Sequence, residues 1–227
     1  MYIRGYLVNT VTVLAGSGLG LLIGSRLSQP IKRIIMAGIG LSTLVIGMQM
    51  ALETKKLILM VASLVAGGII GQLTGIEEWL ERLGERIKRK VGSESSTFVL
   101  GFVTASLLFC TGPMTLVGSL EDGFSGKGDL IYIKSIMDGG AATALTASLG
   151  IGVVFSALTV LVIQGCLTYL GMAMGGSFNV AVLNEISAAG GVLILGIGIN
   201  LLEIGRVKVG NFIPALAVAG VLSWWFL

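Results

Sequence analysis

Cys110–Ala142, reading CTGPMTLVGSLEDGFSGKGDLIYIKSIMDGGAA, is where the apolar character of this chain breaks. The stretch holds Pro113, the carboxylates Glu121, Asp122, Asp129 and Asp138, the lysines Lys127 and Lys134, and repeated glycines. On both sides of it the sequence is a succession of lipid-compatible helical runs. A charge at the centre of a membrane helix costs about 2.5–3.5 kcal/mol on insertion scales, so such residues are kept where a cavity, a partner or a pathway uses them. The stretch therefore reads as an interruption in a helical membrane bundle, and as the place where a site is expected.

Outward from it, composition fixes the class. The chain has 227 residues, of which 54% are hydrophobic and 12% charged, and its mean hydropathy is +0.95. Crossing about 30 Å of hydrocarbon takes roughly 17–25 apolar residues. Runs of that kind fall at about 7–24, 31–52, 57–75, 97–120, 130–149, 151–171, 184–203 and 209–227. The expectation is an all-α, polytopic helical membrane protein with six to eight spans. Gly112-Pro113 breaks the fourth run, and the fifth carries Lys134, Asp138 and Gly139-Gly140. Both are expected as broken or re-entrant helices, tolerated at membrane depth where protein or water covers the freed backbone groups. Four segments follow: a first membrane triplet (1–75), a cytoplasmic amphipathic helix and linker (76–96), a central broken-helix region (97–149) and a second membrane triplet (150–227).

Several functions drop out at once. With no histidine in the chain, imidazole catalysis, histidine-ligated metals and histidine pH switches are excluded. Cys110 and Cys166 lie in apolar runs without CxxC spacing and read as small core residues. The net charge of +3 resides in short loops and does not argue for nucleic acid. No nucleophile–base pair, metal cluster or paired catalytic carboxylate emerges, so no enzyme, cofactor or metal is expected. GFSGKGD lacks the strand and spacing of a phosphate-binding loop. No cleavable signal peptide is expected, because the first apolar run starts near Gly5 without a small-residue cleavage site after it.

Basic residues set the expected orientation. With eight spans, Arg26, Lys32, Arg33, Arg82, Arg86, Lys88, Arg89, Lys90, Arg206 and Lys208 share one side, against Arg4, Lys55, Lys56, Lys127 and Lys134 on the other. The richer side should be cytoplasmic, which places both termini outside. In 76–91 (IEEWLERLGERIKRKV), Ile76, Trp79, Leu80, Leu83, Ile87 and Val91 form one face, with acids first and bases last as the helix dipole favours. That is the pattern of a helix lying on the headgroups; a partner-docking surface is the alternative.

Glycines recur at Gly16, Gly20 and Gly24 and at Gly67, Gly71 and Gly75. Such smooth faces let backbones approach closely, within the chain by preference, or in a homodimer. Residues 35–49 (IMAGIGLSTLVIGMQ) can be laid on 186–200 (ISAAGGVLILGIGIN) so that Gly40 meets Gly191, Leu44 meets Leu195, Gly47 meets Gly198 and Gln49 meets Asn200. With two segments between the triplets, the second would be inverted relative to the first, an arrangement typical of transporters with a site at the repeat interface.

Lys134 and Asp138, four residues apart, share a helix face. They read as a charge-compensated coupling site, with Asp138 exchanging a proton or cation, or as a neutral pair pinning helices. Glu121, Asp122 and Asp129 flank a glycine-rich stretch and read as solvated loop charges or as an acidic entrance. Thr111, Thr115 and Ser119 recur every fourth residue beside Pro113, which frees a carbonyl one turn earlier. They could line a polar path or satisfy the broken backbone. Asn9, Gln49, Gln164, Glu185 and Asn200 are expected mainly as interhelical hydrogen-bonding partners, with Gln49 and Asn200 added to the pathway set by the repeat.

Asn9-Thr10 before Gly16 and Gly20, the segment CTGPMTLVGSLEDG, and KSIMDGGAA resemble the bacterial domain-of-unknown-function family 554, the YqgA- and YdfK-like inner-membrane proteins. The resemblance spans nearly the whole chain and implies a multi-span plasma-membrane protein often described as a possible transporter, without an assigned substrate or site. The expected function is a transporter or channel for a small ion or polar solute, with the lipid bilayer and that solute as partners. A non-transporting scaffold or sensor acting through 76–91 is the alternative. A lipid-handling role for Lys88, Arg89 and Lys90 on anionic headgroups is a third reading.

Overall fold

The structure, a computed structural model, describes residues 5–174 and 179–226, and every regular element among them is helical. The helices are α1 (Gly5–Gly24), α2 (Gln29–Ala51), α3 (Leu57–Thr74), α4 (Ile76–Lys90), α5 (Phe98–Cys110), α6 (Pro113–Ser125), α7 (Asp129–Leu149), α8 (Ser156–Met174), α9 (Val180–Leu201) and α10 (Pro214–Phe226). Short 3-10 turns, Ile151–Phe155 and Val209–Phe212, lead into α8 and α10. Among the described residues, six helices are long and apolar enough to cross a membrane: α1, α2, α3, α8 with its leading turn, α9, and α10 with its leading turn. The α5–α6 pair, bent by 57° at the break around Thr111-Gly112, is a broken span or a re-entrant loop. The chain is a polytopic helical membrane protein.

The fifth expected segment differs from its reading. Asp129–Leu149 is one continuous helix of 21 residues, about 32 Å long at 1.5 Å per residue, and it is neither broken nor re-entrant. Gly139 serves packing: a Cβ on Gly16 of α1 would collide with the Gly139 carbonyl. The helix is inside-out by the standards of a soluble protein. Lys134 and Asp138 are buried, while Ile136 is 76% exposed and Met137 56%. Only lipid makes that arrangement favourable, because charged groups turn inward when the solvent is hydrocarbon. Its end is closed by Gly150, at φ +81°, and by the Thr97 hydroxyl, which donates to the Leu149 carbonyl at 2.7 Å.

The acids Glu121 and Asp122 also depart from the loop reading. They lie in the last turns of α6, and the connection to α7 shrinks to residues 126–128. A carboxylate late in a helix opposes that helix's dipole. Asp122 instead accepts the N–H of Gly5, the first residue of α1, at 3.0 Å, where a negative charge is favoured.

The helices gather into two compact units. The first holds α1, α5, α7, α8, α6 from Met114 onward, and α4 from Arg82. Here α1 lies along α7 in parallel: Gly16, Gly20 and Gly24 face Gly139, Thr143 and Ala147 so closely that side chains on the glycines would clash. The second unit holds α2 from Ile39, α3, α9, α10 and the start of α4. In it Gly67 and Gly71 of α3 press on Ala215 and Asn211. Gly16, Gly20 and Gly24, like Gly67 and Gly71, thus pack within the chain. The two units cut across the segments 1–75 and 150–227, each drawing helices from both.

Within the second unit, α2 and α9 cross antiparallel with reciprocal contacts. Gly40 faces Leu201 and Leu202, and Gly191 faces Met50 and Ala51. Gly47 faces Gly191 and Leu195, and Gly198 faces Gly40 and Leu44. In the register that lays Gly40 on Gly191 and Gly47 on Gly198, each contact maps onto its counterpart. Glu185 of α9 accepts the Thr54 hydroxyl and, at 2.9 Å, the Lys55 N–H. It therefore organises the α2–α3 connection, as an interhelical hydrogen-bonding partner.

The first turn of α4 is anchored in the same unit. Asn211 accepts the Glu77 N–H at 2.8 Å, Glu77 accepts the Gly210 N–H at 2.6 Å, and Lys208 pairs with Glu78 at 2.6 Å. Burial, helped by neighbouring Glu81 and Glu78, raises the Glu77 pKa above 4.5, while the Gly210 N–H and Lys208 pull it back. The hydrogen bond that Lys208 donates to Glu78 raises the Lys208 pKa. Arg4, on the poorer side of the orientation count, lies outside the described residues.

Candidate functional site

The polar heart of the first unit is built from three helices. Asp138 of α7 accepts both of its close donors at short range: Lys134 Nζ lies 2.8 Å from Oδ1 and 2.9 Å from Oδ2. Asn9 of α1 donates through Nδ2 to Asp138 Oδ2 at 2.9 Å and to Gln164 Oε1 of α8 at 3.1 Å. Asn9 and Gln164 are fully buried, and Asp138 is 5% exposed. The helical spacing that puts Lys134 under Asp138 was legible in the sequence; the arrival of Asn9 and Gln164 was not.

The first unit keeps unused hydrogen-bonding capacity. The Gln164 Nε2 and the hydroxyls of Ser17, Ser119, Thr146 and Thr168 are buried without a partner. Buried polar atoms in proteins are satisfied in the great majority of cases. The Gln164 Nε2 belongs to the side chain that Asn9 links to Asp138, and an orphaned donor there suits water or a polar solute. Cys110, at the end of α5, lies within the electrostatic reach of Lys134 and Asp138.

The remaining candidates separate. Thr115 donates to the Phe109 carbonyl at 2.7 Å, the carbonyl one turn before Pro113 that the proline cannot pair. Ser119, one turn further along α6, is fully buried. Thr111 is buried in the second unit, with its carbonyl 2.6 Å from where a Cβ on Gly190 would sit. Glu121 is half-buried on α6, and Asp129 is exposed at the first position of α7. Gln49 is exposed on α2. Asn200 is occupied, its amide holding the Val207 carbonyl at 2.8 Å and N–H at 2.7 Å across the turn after α9. The structure thus brings Lys134 and Asp138 together with Asn9 and Gln164, and assigns Thr115 and Asn200 to backbone satisfaction. Among the described residues no group of three or more metal-ligating side chains is found.

Comparison with known proteins agrees with this architecture. The chain is 28% identical over 222 residues to the uncharacterized membrane protein YdfK of Bacillus subtilis (strain 168), covering 96% of this chain and 94% of that one. It is 29% identical over 233 residues to the uncharacterized protein YqgA of Escherichia coli (strain K12), covering 98% of each. No solved structure matches. A family profile described as Protein of unknown function (DUF554) matches residues 4–224, and the chain belongs to that family.

Proposed function

We propose that this protein is a transporter or channel for a small ion or polar solute in a bacterial inner membrane, with its pathway beside Asp138. The observation that carries the reading is the Asn9–Lys134–Asp138–Gln164 cluster, buried in a lipid-facing bundle with the Gln164 Nε2 left unpartnered. Stability alone is a poor reason to keep it. A buried ion pair is often no better than a well-packed apolar pair of similar volume, and intramembrane ionisable residues mark pathways and relays by default. In this reading Asp138 is the exchangeable carboxylate and Lys134 its electrostatic partner.

The reciprocal packing of α2 on α9 supports the same reading. A rotation that carries one spanning helix onto an antiparallel one reverses its direction, so its axis lies in the membrane plane. That is the relation of inverted repeats in transporters, and the bent α5–α6 pair is the broken element that accompanies it. The basic end of α4 would face the cytoplasm, with both termini outside. Because the first turn of α4 is spent on Asn211, Gly210 and Lys208, the helix reads as part of the body rather than as a free docking arm.

The test is water access followed by flux. In a background where Cys110 and Cys166 are Ser, Asp138→Cys should react with small charged thiol reagents from at least one side of the membrane. Liposomes carrying the unmodified protein should pass a small ion, and those carrying Asp138→Asn should not. A folded, inserted Asp138→Cys protein that stays unlabelled, with no flux from the native chain, would leave the cluster a dry structural pair.

A further inference from the structure

The polar cluster at Asp138 has a continuation along the same three helices, and the inference drawn from it rests on the transport reading and deepens it. Asn9 of α1 fixes the register, bonding to Asp138 of α7 and to Gln164 of α8. The rings of Tyr6 and Tyr169 lie 6.5 Å apart, so α8 runs backward along α1. Helix α7 runs forward along it, with Gly16 seated on Gly139 and Gly24 on Ala147. A step of four residues moves about 6 Å along a helix and stays on one face. One step from the cluster, forward on α1 and α7 and backward on α8, are Val13, Ala142 and Val160, all at 0% exposure. Two steps away are Ser17, Thr146 and Ser156, all buried. The 3-10 turn that leads into Ser156 packs on both α1 and α7, which keeps the start of α8 at this level. A polar layer, an apolar layer and a hydroxyl layer thus succeed one another over about 12 Å.

The hydroxyl layer holds unspent bonding capacity. Serine and threonine within a helix commonly bond the carbonyl four residues back. On α7, Ser135 does so to Ile131 at 2.6 Å and Thr143 to Gly139 at 2.9 Å. Ser17 and Thr146 do not, and their oxygens are buried without a partner. Thr146 faces α1: a Cβ on Gly20, one turn after Ser17, would sit 2.7 Å from the Thr146 Cβ. The stagger that lets Asn9 reach Asp138 sets Ser17 against Thr146 two turns on, and their shorter side chains leave a gap between the hydroxyls. Ser156 donates to the Val153 carbonyl at 2.7 Å and keeps its lone pairs for a further donor. Water, which takes about two to four polar partners when buried, suits such a set of neutral groups. The valine and alanine side chains between the two polar layers offer water nothing, and an apolar constriction of that kind gates a pathway by drying it.

We infer that Ser17 and Thr146 bind water as a second polar station of the pathway, and that Val13, Ala142 and Val160 form the apolar gate between that station and Asp138.

The experiment is thiol labelling of the full chain in membranes, in the background where Cys110 and Cys166 are Ser, with a small charged methanethiosulfonate reagent applied from each side. Ser17→Cys and Asp138→Cys should both label, and Val13→Cys, which lies between them, should label about tenfold more slowly. Thr146→Cys repeats the test of the station from the other helix should Ser17→Cys fail to insert. Val160→Thr keeps the shape of valine and adds a hydroxyl. It should wet the gate, bring Val13→Cys up to the rate of its neighbours and raise the flux of a small ion through liposomes. Inserted Ser17→Cys and Thr146→Cys proteins that stay unlabelled, or a Val13→Cys protein that labels as fast as Asp138→Cys without Val160→Thr, would overturn the inference. Flux through the native chain separates it from the reading beneath it. Flux and a labelled Asp138→Cys, with position 17 and position 146 dry, remove the second station and leave the transporter. Labelled stations on either side of a slow Val13→Cys, without flux, remove the transporter and leave the hydrated station.

Discussion

Asn9 on α1 and Gln164 on α8 meet side chain to side chain, Nδ2 to Oε1 at 3.1 Å, and the same Asn9 amide reaches Asp138 at 2.9 Å. One side chain therefore ties three helices together at the Lys134–Asp138 ion pair of α7. Replacing Asn9 by Leu should strand the Gln164 carbonyl and remove a donor from Asp138. A buried acceptor left unmade costs about 1–3 kcal/mol, and more when charged. The unfolding midpoint in detergent should fall accordingly, and Asn9→Gln should recover only part of the loss because the longer side chain cannot reach both partners.

Lys134 and Asp138 should behave as a coupled unit. Breaking a buried pair from one side leaves an uncompensated charge and costs about 3–5 kcal/mol, whereas replacing both partners by apolar residues is near neutral. Lys134→Met and Asp138→Leu should each be strongly destabilising, and the double variant should be more stable than either. A double-mutant cycle by chemical or thermal unfolding measures the coupling. Additive losses would mean that the two side chains do not share an ion pair in the folded protein.

The glycine faces make a contrasting pair of predictions. Gly16 has no room for a methyl group, since its Cβ would strike the Gly139 carbonyl, while a Cβ on Gly18 meets nothing within 4 Å. Gly16→Ala should cost about 1–3 kcal/mol by overpacking. Gly18→Ala should be neutral or stabilise by about 0.5–1 kcal/mol through the entropy of the unfolded chain. Folded yield and unfolding midpoint, compared for the two variants, check the direction of each.

Glu77 gives a pH dependence outside the membrane helices. Burial raises its pKa above the unfolded value of 4.5, so the folded state holds its proton more tightly than the unfolded one. Its contribution to stability is fully present below pH 4.5 and is lost as pH rises through the higher folded value. Glu77→Gln keeps an oxygen for the Gly210 N–H and removes the titration. The variant should gain stability relative to the native protein as pH rises from 4 to 7. A native-to-variant difference that stays flat over that range would show that Glu77 does not titrate differently on folding.

Much of the fold was readable because it rests on local properties. The break at Gly112-Pro113 follows from the proline, and α5 and α6 do bend there. The pairing of Lys134 with Asp138 follows from helical spacing. The match between 35–49 and 186–200 pointed to the helices that pack reciprocally in the second unit. The continuity of α7 was misread because Gly139-Gly140 looked like a breaker; in a bundle with α1 pressed on that step, glycine is a packing residue. Asp122 was misread because its partner, the Gly5 N–H, lies more than a hundred residues away in the chain.

By itself the sequence determined that this is a helical membrane protein, that the fourth apolar run breaks at Gly112-Pro113, and that Lys134 and Asp138 share a helix face. Those outcomes depend on length, hydropathy and backbone chemistry, which each segment carries alone. Only the tertiary structure decided which polar groups meet: Asn9 and Gln164 at Asp138, Asp122 at α1, Glu185 at Lys55. In water, an apolar stripe tells which helix face turns inward. In lipid both faces of a helix are apolar, so the stripe that orients a helix is absent, and close glycine contacts and hydrogen bonds between helices choose the partners instead.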